Sequence, residues 1–187
     1  MFSEVRRQMD GEVPLVQGQS GGAAGDADRS AEETARGVFA AIDAHDLEAI
    51  AGFFHPDDVQ EFVPIGVFSG RQAVLGVFAE LFRAFPDLRM EIEHVMADER
   101  GAYVRWRAVG TFSGAPYQGI QPTGRRVGLR GVDGYIEVEH GLIRRNTIFY
   151  DGAGFARAVG LLPARGSRLE WALLAAFNLR TRLLRRR

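Results

Sequence analysis

Two aspartates are the side chains best placed to do chemistry. Asp133 interrupts the apolar strand-like run Val132-Asp133-Gly134-Tyr135, and Asp151 closes the run Ile148-Phe149-Tyr150-Asp151. A carboxylate set among aromatic walls loses its water, which raises its pKa toward the range useful to a general acid or base. Each also has a plainer use. Asp151 can cap a helix that starts at Gly152, and Asp133 can be the buried partner of Arg130, Arg105 or Arg107. From the residues alone both readings of both aspartates stand, and a cap can coexist with contact to a ligand.

Composition removes the competing chemistries. There is no Cys, so disulfides, thiolate metal sites and Cys nucleophiles are excluded. There is no Lys either, because all 23 basic residues are Arg. Schiff-base catalysis, pyridoxal phosphate attachment and a phosphate-loop Lys therefore have no side chain to carry them. His45, His55, His94 and His140 fall in turns or at strand ends without the i, i+4 pairing of a helical zinc site, so no metal is expected. His55 with Asp57 reads as the cap of a helix terminus.

A cavity needs walls. Tyr135, Trp106, Phe62, Phe112 and Phe149 are the aromatic candidates to line one, with the two polar rings the stronger choices because each carries an atom that seeks a partner. The Gly/Pro-rich elbow between two strand-like runs, within Gly110 to Asp151, suggests a curved sheet as the wall.

The elements that must position these residues can be read in order. Ser30 and Glu33 form a capping box ahead of Val38, Phe39 and Ile42 at helical spacing. Asp46 can cap a short helix from Leu47 to Phe54, which His55-Pro56 stops. Val59 to Val63 reads as a short strand. Gly70 to Phe85 is the strongest helix, with Val74, Val77, Phe78, Leu81, Phe82 and Phe85 in one stripe ended by Pro86. The period then changes to two: Leu88 to Val95, Ala102 to Phe112, Val127 to Val138 and Leu142 to Tyr150 read as strands, the last two joined at Glu139-His140-Gly141. Ser167 and Glu170 form a second capping box before a helix from Arg168 to Leu184, about 25 Å long.

Helices gathered on one face of an antiparallel sheet define an α+β protein. Curving that sheet and closing its open side with the N-terminal helices makes a cone-shaped α+β barrel with an internal cavity, plus an extra C-terminal helix. The expected organisation is a flexible Gly-rich tail over residues 1–29, the barrel domain over 30–163, and a basic amphipathic helix over 164–187. The net charge of −1 offers no general pull toward nucleic acid. Arg180, Arg182, Arg185, Arg186 and Arg187 complement a helix C-terminus, and contact with an anionic membrane surface is the sharper alternative for them. With no apolar run long enough to span a bilayer and no secretory leader, a cytoplasmic location is expected.

The motifs Phe85-Pro86-Asp87-Leu88, Val104-Arg105-Trp106, Gly110-Thr111-Phe112-Ser113-Gly114, Pro122-Thr123-Gly124-Arg125-Arg126-Val127 and Arg130-Gly131-Val132-Asp133 follow in order. Over roughly residues 33 to 163 this resembles the SnoaL-like polyketide and ester cyclases of the nuclear-transport-factor-2-like superfamily. The resemblance implies a cone barrel, dimeric through its sheet, that carries out an aldol-type ring closure on a small molecule without metal or organic cofactor. It also implies that Asp151 matches the acid/base Asp after the last strand. The chain departs from the pattern at Phe62-Val63, where relatives carry a polar pair, and at Asn146-Thr147, where they carry His-Trp. The expected function is cofactor-independent acid-base chemistry on an apolar oxygenated molecule, with Asp151 and Asp133 as its carboxylates. Phe62, Arg105, Trp106, Phe112, Tyr135, Asn146 and Phe149 would bind the substrate. A non-catalytic binding or dimerising module, and an epoxide hydrolase or isomerase, are the alternatives.

Overall fold

A computed structural model describes residues 29–185; the Gly-rich N-terminal stretch, apart from Arg29, and Arg186 and Arg187 lie outside them. Helix α1 (Ala31–Asp43) begins as the sequence requires. Ser30 Oγ accepts from the Glu33 N–H while the Glu33 carboxylate accepts from the Ser30 N–H. Its buried face of Ala35, Val38, Phe39 and Ile42 lies against the sheet. Asp46 caps the one-turn helix α2 (Leu47–Ala51) through the Ala49 N–H. Helix α3 (Arg71–Ala84) starts after Gly70, which holds a φ of +85°, and buries Val74, Phe78 and Ala84.

The six strands are β1 (Phe54–Val63), β2 (Gly66–Ser69), β3 (Arg89–Ala97), β4 (Gly101–Thr111), β5 (Arg126–Glu139) and β6 (Leu142–Tyr150), in the order β2-β1-β6-β5-β4-β3. They form the curved sheet of an α+β cone with five helices. Neighbours are antiparallel except β1 and β6, which run parallel. Two local expectations fail around β1. His55-Pro56 does not end a helix; both residues lie inside β1, which starts at Phe54 and bulges between Phe54 and Val59. Strand β2, too short to show a period, was not anticipated.

The elbow between β4 and β5 is strapped to the end of α3. Gly114 donates to Ala84 O at 3.1 Å, and a Cβ on Gly114 would collide with the Arg83 carbonyl. This contact brings Phe112 face to face with Phe85, ring centres 5.1 Å apart. After β6, Asp151 caps helix α4 (Gly152–Ala158). Helix α5 (Arg168–Leu184) follows, but its capping box closes differently from the expected one: Ser167 Oγ accepts from the Glu170 N–H, while the Glu170 carboxylate accepts from Gly166. Helix α5 buries none of its residues and leaves Leu169, Trp171, Phe177 and Leu179 exposed. No helix among the described residues is long and apolar enough to cross a membrane.

Candidate functional site: a buried carboxylate in an apolar cavity

The inner face of the sheet and the helices across it enclose a cavity of about 130 Å³. Its walls are almost wholly apolar and include Phe39, Phe62, Phe78, Leu88 and Ile148. A cavity with this lining suits an apolar ring molecule. Apart from two tyrosines, the polar side chains of the wall stand on neighbouring strands. Gln60 on β1, Asn146 on β6, Asp133 on β5 and Trp106 on β4 form a row across four adjacent strands.

Strand register builds this row. Gln60 is the Cα partner of Asn146 in the parallel β1–β6 pair. Asp133 pairs with Val104 on one side and Ile148 on the other. Trp106 lies opposite Gly131, and a Cβ there would overlap the indole ring. The glycine lets the ring cross the β5 backbone. The indole N–H then donates to Asp133 Oδ1 at 2.9 Å, and Asn146 Nδ2 donates to Asp133 Oδ2 at 2.9 Å. Just past Asp133 the pairing of β5 slips on both sides, and the inward positions change from 131 and 133 to 136. Such bulges are over-represented beside functional sites because they re-aim a side chain.

Two effects compete at Asp133. Burial penalises the charged carboxylate, while the two donated hydrogen bonds favour it. Burial wins, and the pKa is pushed up to about 6. Asp133 therefore ionises close to neutral pH inside an apolar chamber, as a proton-transfer group must.

A second buried carboxylate lies behind this wall. Asp58 on β1 is fully buried, accepts from Gln60 Nε2 at 2.7 Å through Oδ1, and has no partner on Oδ2. Desolvation is again the dominant cause, and it pushes Asp58 up to about 7 against the lowering influence of Gln60, the Val59 N–H, Arg144 and Arg71. Tyr117 and Tyr150 also line the cavity. Burial raises both phenols, Tyr117 to about 12, so both keep their protons.

The structure brings together Asp133, Trp106, Phe62 and Asn146 among the expected site residues. It sets the others elsewhere. Asp151 is exposed, and its Oδ1 accepts from the Gly154 N–H at 2.7 Å as the cap of α4. It shares a face with Thr147 and Phe149, as the alternation requires, but that face is the outer one. Phe149 is 49% exposed, and Thr147 Oγ1 reaches Glu61. Arg105 also points outward. It meets Glu93 at 3.2 Å, and Arg130 meets the same carboxylate at 2.8 Å, so neither arginine pairs with Asp133. Tyr135, beyond the bulge, donates to Asp98 Oδ1 at 2.9 Å outside the cavity. Phe112 is fully buried behind Phe85, one layer from the lining.

Gln60 and Asp58 were missed. The signal was present in Asp58-Val59-Gln60-Glu61-Phe62, since a strand that turns Phe62 inward turns Gln60 and Asp58 the same way. His55 lies in β1 rather than at a helix end. It accepts from Arg144 Nη1 at 2.6 Å, and burial followed by Arg144 lowers its pKa. Among the described residues no group of three or more His, Asp or Glu is arranged to hold a metal.

Residues 35–146 match the model of the SnoaL-like domain. No curated protein matches the chain. Among solved structures, a protein from Jannaschia sp. CCS1 provisionally described as a SnoaL-like polyketide cyclase superposes with a TM-score of 0.64. It is 21% identical, over 78% of this chain and 100% of that one. AclR of Streptomyces galilaeus, provisionally described as a hydroxylase, gives 0.63 at 23% identity over 83% and 94%. IdmH of Streptomyces antibioticus, provisionally described as a polyketide cyclase, gives 0.61 at 22% identity over 71% and 99%.

Proposed function

The chain belongs to the SnoaL-like domain family, and from that premise we propose that it is a cofactor-independent acid-base enzyme acting on an apolar, oxygenated small molecule, with Asp133 as the proton-transfer group. The observation that carries this reading is the Asp133 carboxyl itself. It is buried in an apolar cavity, held by Trp106 and Asn146, and ionises near pH 6. As a carboxylate it takes a proton from an O–H or an activated C–H of the bound molecule. As the acid so formed it returns that proton to the product, so no net redox change and no co-reactant are required. Ring closure of the aldol type and isomerisation are both reactions of this kind, and the relatives provisionally described as polyketide cyclases favour the former.

Asp151 is reassigned in this reading. Its carboxylate is used on the backbone of α4, on the side of the sheet away from the cavity. It shapes the chain beyond β6 rather than touching substrate.

A homodimer through the outer face of the sheet is part of the proposal. Tyr103, Val132 and Phe149 expose large apolar surface on that face, across three neighbouring strands. Contiguous patches of this sort on a soluble protein mark an interaction surface.

The direct experiment is Asp133→Asn, which keeps the shape of the side chain and an acceptor for Trp106, while the Asn146 amide turns to meet the new N–H₂. Turnover of an identified substrate should fall by about 100-fold or more, the usual worth of a positioned acid-base group. Full activity in a folded variant would remove Asp133 from the mechanism.

A further inference from the structure

The polar end of the cavity shows one atom that the site described above does not account for. Asn146 is 4% exposed and its Oδ1 has no hydrogen-bond partner. Its orientation follows from its neighbour. An ionised Asp133 accepts hydrogen bonds and cannot donate them, so the Asn146 amide must turn Nδ2 toward Asp133 Oδ2 and its oxygen away from it. Gln60, level with Asn146 on the adjacent strand, is held in the same sense. Its Nε2 is drawn to Asp58 Oδ1 at 2.7 Å, so the amide offers Oε1 to the cavity. The indole N–H of Trp106 is likewise committed to Asp133. One N–H of each amide and the indole N–H therefore face carboxylates, and the atom of these three side chains left without a partner is the Asn146 oxygen. Tyr150 is a further lining residue of the cavity. It lies four residues along β6 from Asn146, about 13 Å at strand rise.

We propose that this end of the cavity is a specificity pocket for a hydrogen-bond donor, in which Asn146 Oδ1 and Gln60 Oε1 receive the hydroxyl group of an apolar ring ligand beside Asp133. Asp58 is a positioning residue, holding Gln60 so that its oxygen faces inward. The inference rests on the acid-base reading of Asp133 and narrows it. The group presented at this end is an O–H, phenolic or enolic, which supplies the donor that Asn146 Oδ1 lacks. A buried acceptor left unpaired is costly, so a ligand lacking the donor is rejected more strongly than a missing contact alone would account for.

The test uses the full-length protein and three probes: 2-naphthol, naphthalene and 2-methoxynaphthalene, with dissociation constants from calorimetry. The wild type should bind 2-naphthol about 10- to 100-fold more tightly than either of the others. Asn146→Leu should bring the three constants to within about threefold of one another by weakening only the 2-naphthol complex. Gln60→Leu should reduce the ratio in the same direction. Asp58→Leu should lower it, while Asp58→Asn, which keeps an oxygen for Gln60 Nε2, should restore it. Equal affinities in the wild type, or no binding of any probe, would overturn the proposal without reference to a variant. Its failure is distinguishable from failure of the acid-base reading. A protein selective for the hydroxyl but unable to transfer protons keeps the pocket and loses the enzyme. Turnover of substrate without hydroxyl selectivity does the reverse.

Discussion

The indole N–H of Trp106 donates to Asp133 Oδ1 across 2.9 Å, from the strand next to it and over a glycine. That contact joins the two aspects of the site. It holds a carboxylate in one orientation inside an apolar cavity, and it partly offsets the burial that raises the carboxylate's pKa.

Proton abstraction by Asp133 requires the ionised form. Activity should therefore rise with pH through about 6 and level off above it, with Asp133 the group responsible. Carbon-13 NMR of labelled aspartate should show two carboxyls titrating well above 4, Asp133 at about 6 and Asp58 at about 7, of which the first is absent from Asp133→Asn. If every carboxyl in the spectrum titrates near 4, the assignment of Asp133 is wrong.

Trp106→Phe removes one donor to the charged form and leaves burial in place. The Asp133 pKa should move up by about one to two units, since a hydrogen bond to a charged group is worth about 1.5–3 kcal/mol. The rising limb of the pH profile should shift by the same amount. A profile that stays where it was would mean that the indole contributes packing alone.

Asp58 makes stability depend on pH in a defined direction. Its folded-state pKa of about 7 lies above the ordinary value of 3.8, so between these limits the folded chain binds the extra proton. Its favourable contribution is complete below pH 4 and is lost as pH rises through 7. Asp58→Asn, which never ionises, should equal or trail the wild type at pH 5. At pH 8 it should gain on the wild type by about 2–4 kcal/mol, as read by denaturant unfolding. Parallel stability curves for the two proteins would show that Arg144 and Arg71 keep Asp58 charged at no cost.

Phe149 is half exposed on the outer face of β6, beside Val132 of β5. If a second copy covers that face, Phe149→Glu places a charge in the joint without touching the cavity. Sedimentation should show a dimer for the wild type and a monomer for the variant. A monomeric wild type would remove the dimer from the proposal.

Helix α5 supplies no residue to the cavity and buries none of its own. Deleting residues 167–187 should leave the affinity for 2-naphthol unchanged within about twofold, because no contact of the polar pocket is altered. A folded, truncated protein that no longer binds would place α5 over the mouth.

Local signals carried most of the architecture. The Ser30 capping box, the Asp46 cap, the apolar stripe of α3 and the two-residue period of β3 to β6 are written in neighbouring residues, and the elements formed there within one or two positions, except that α2 ends at Ala51, three short of Phe54. These are short-range effects, decided by a side chain and the backbone a few residues away. The same local logic offered Asp151 as a cap beside the catalytic role expected of it, and put it on the face of Phe149.

What local logic could not decide was which face turns inward. Alternation sorts the residues of a strand into two sets but does not say which set meets the helices. Arg105, Tyr135 and Phe149 were assigned to the cavity from the wrong set, and Gln60 was overlooked in the right one. The β5 bulge compounds this by changing the parity within a single strand. The partners of Asp133 are further still from local reach: Trp106 is 27 residues before it and Asn146 13 after. An arginine looked the natural partner for a buried carboxylate, yet a carboxylate can also be held by neutral donors. By itself the sequence determined most of the elements, the fold and the presence of one carboxylate within an apolar strand. Only the tertiary structure decided that Asp133 faces the cavity while Asp151 does not, because strand register and the side taken by the helices are set by contacts between residues far apart in the chain.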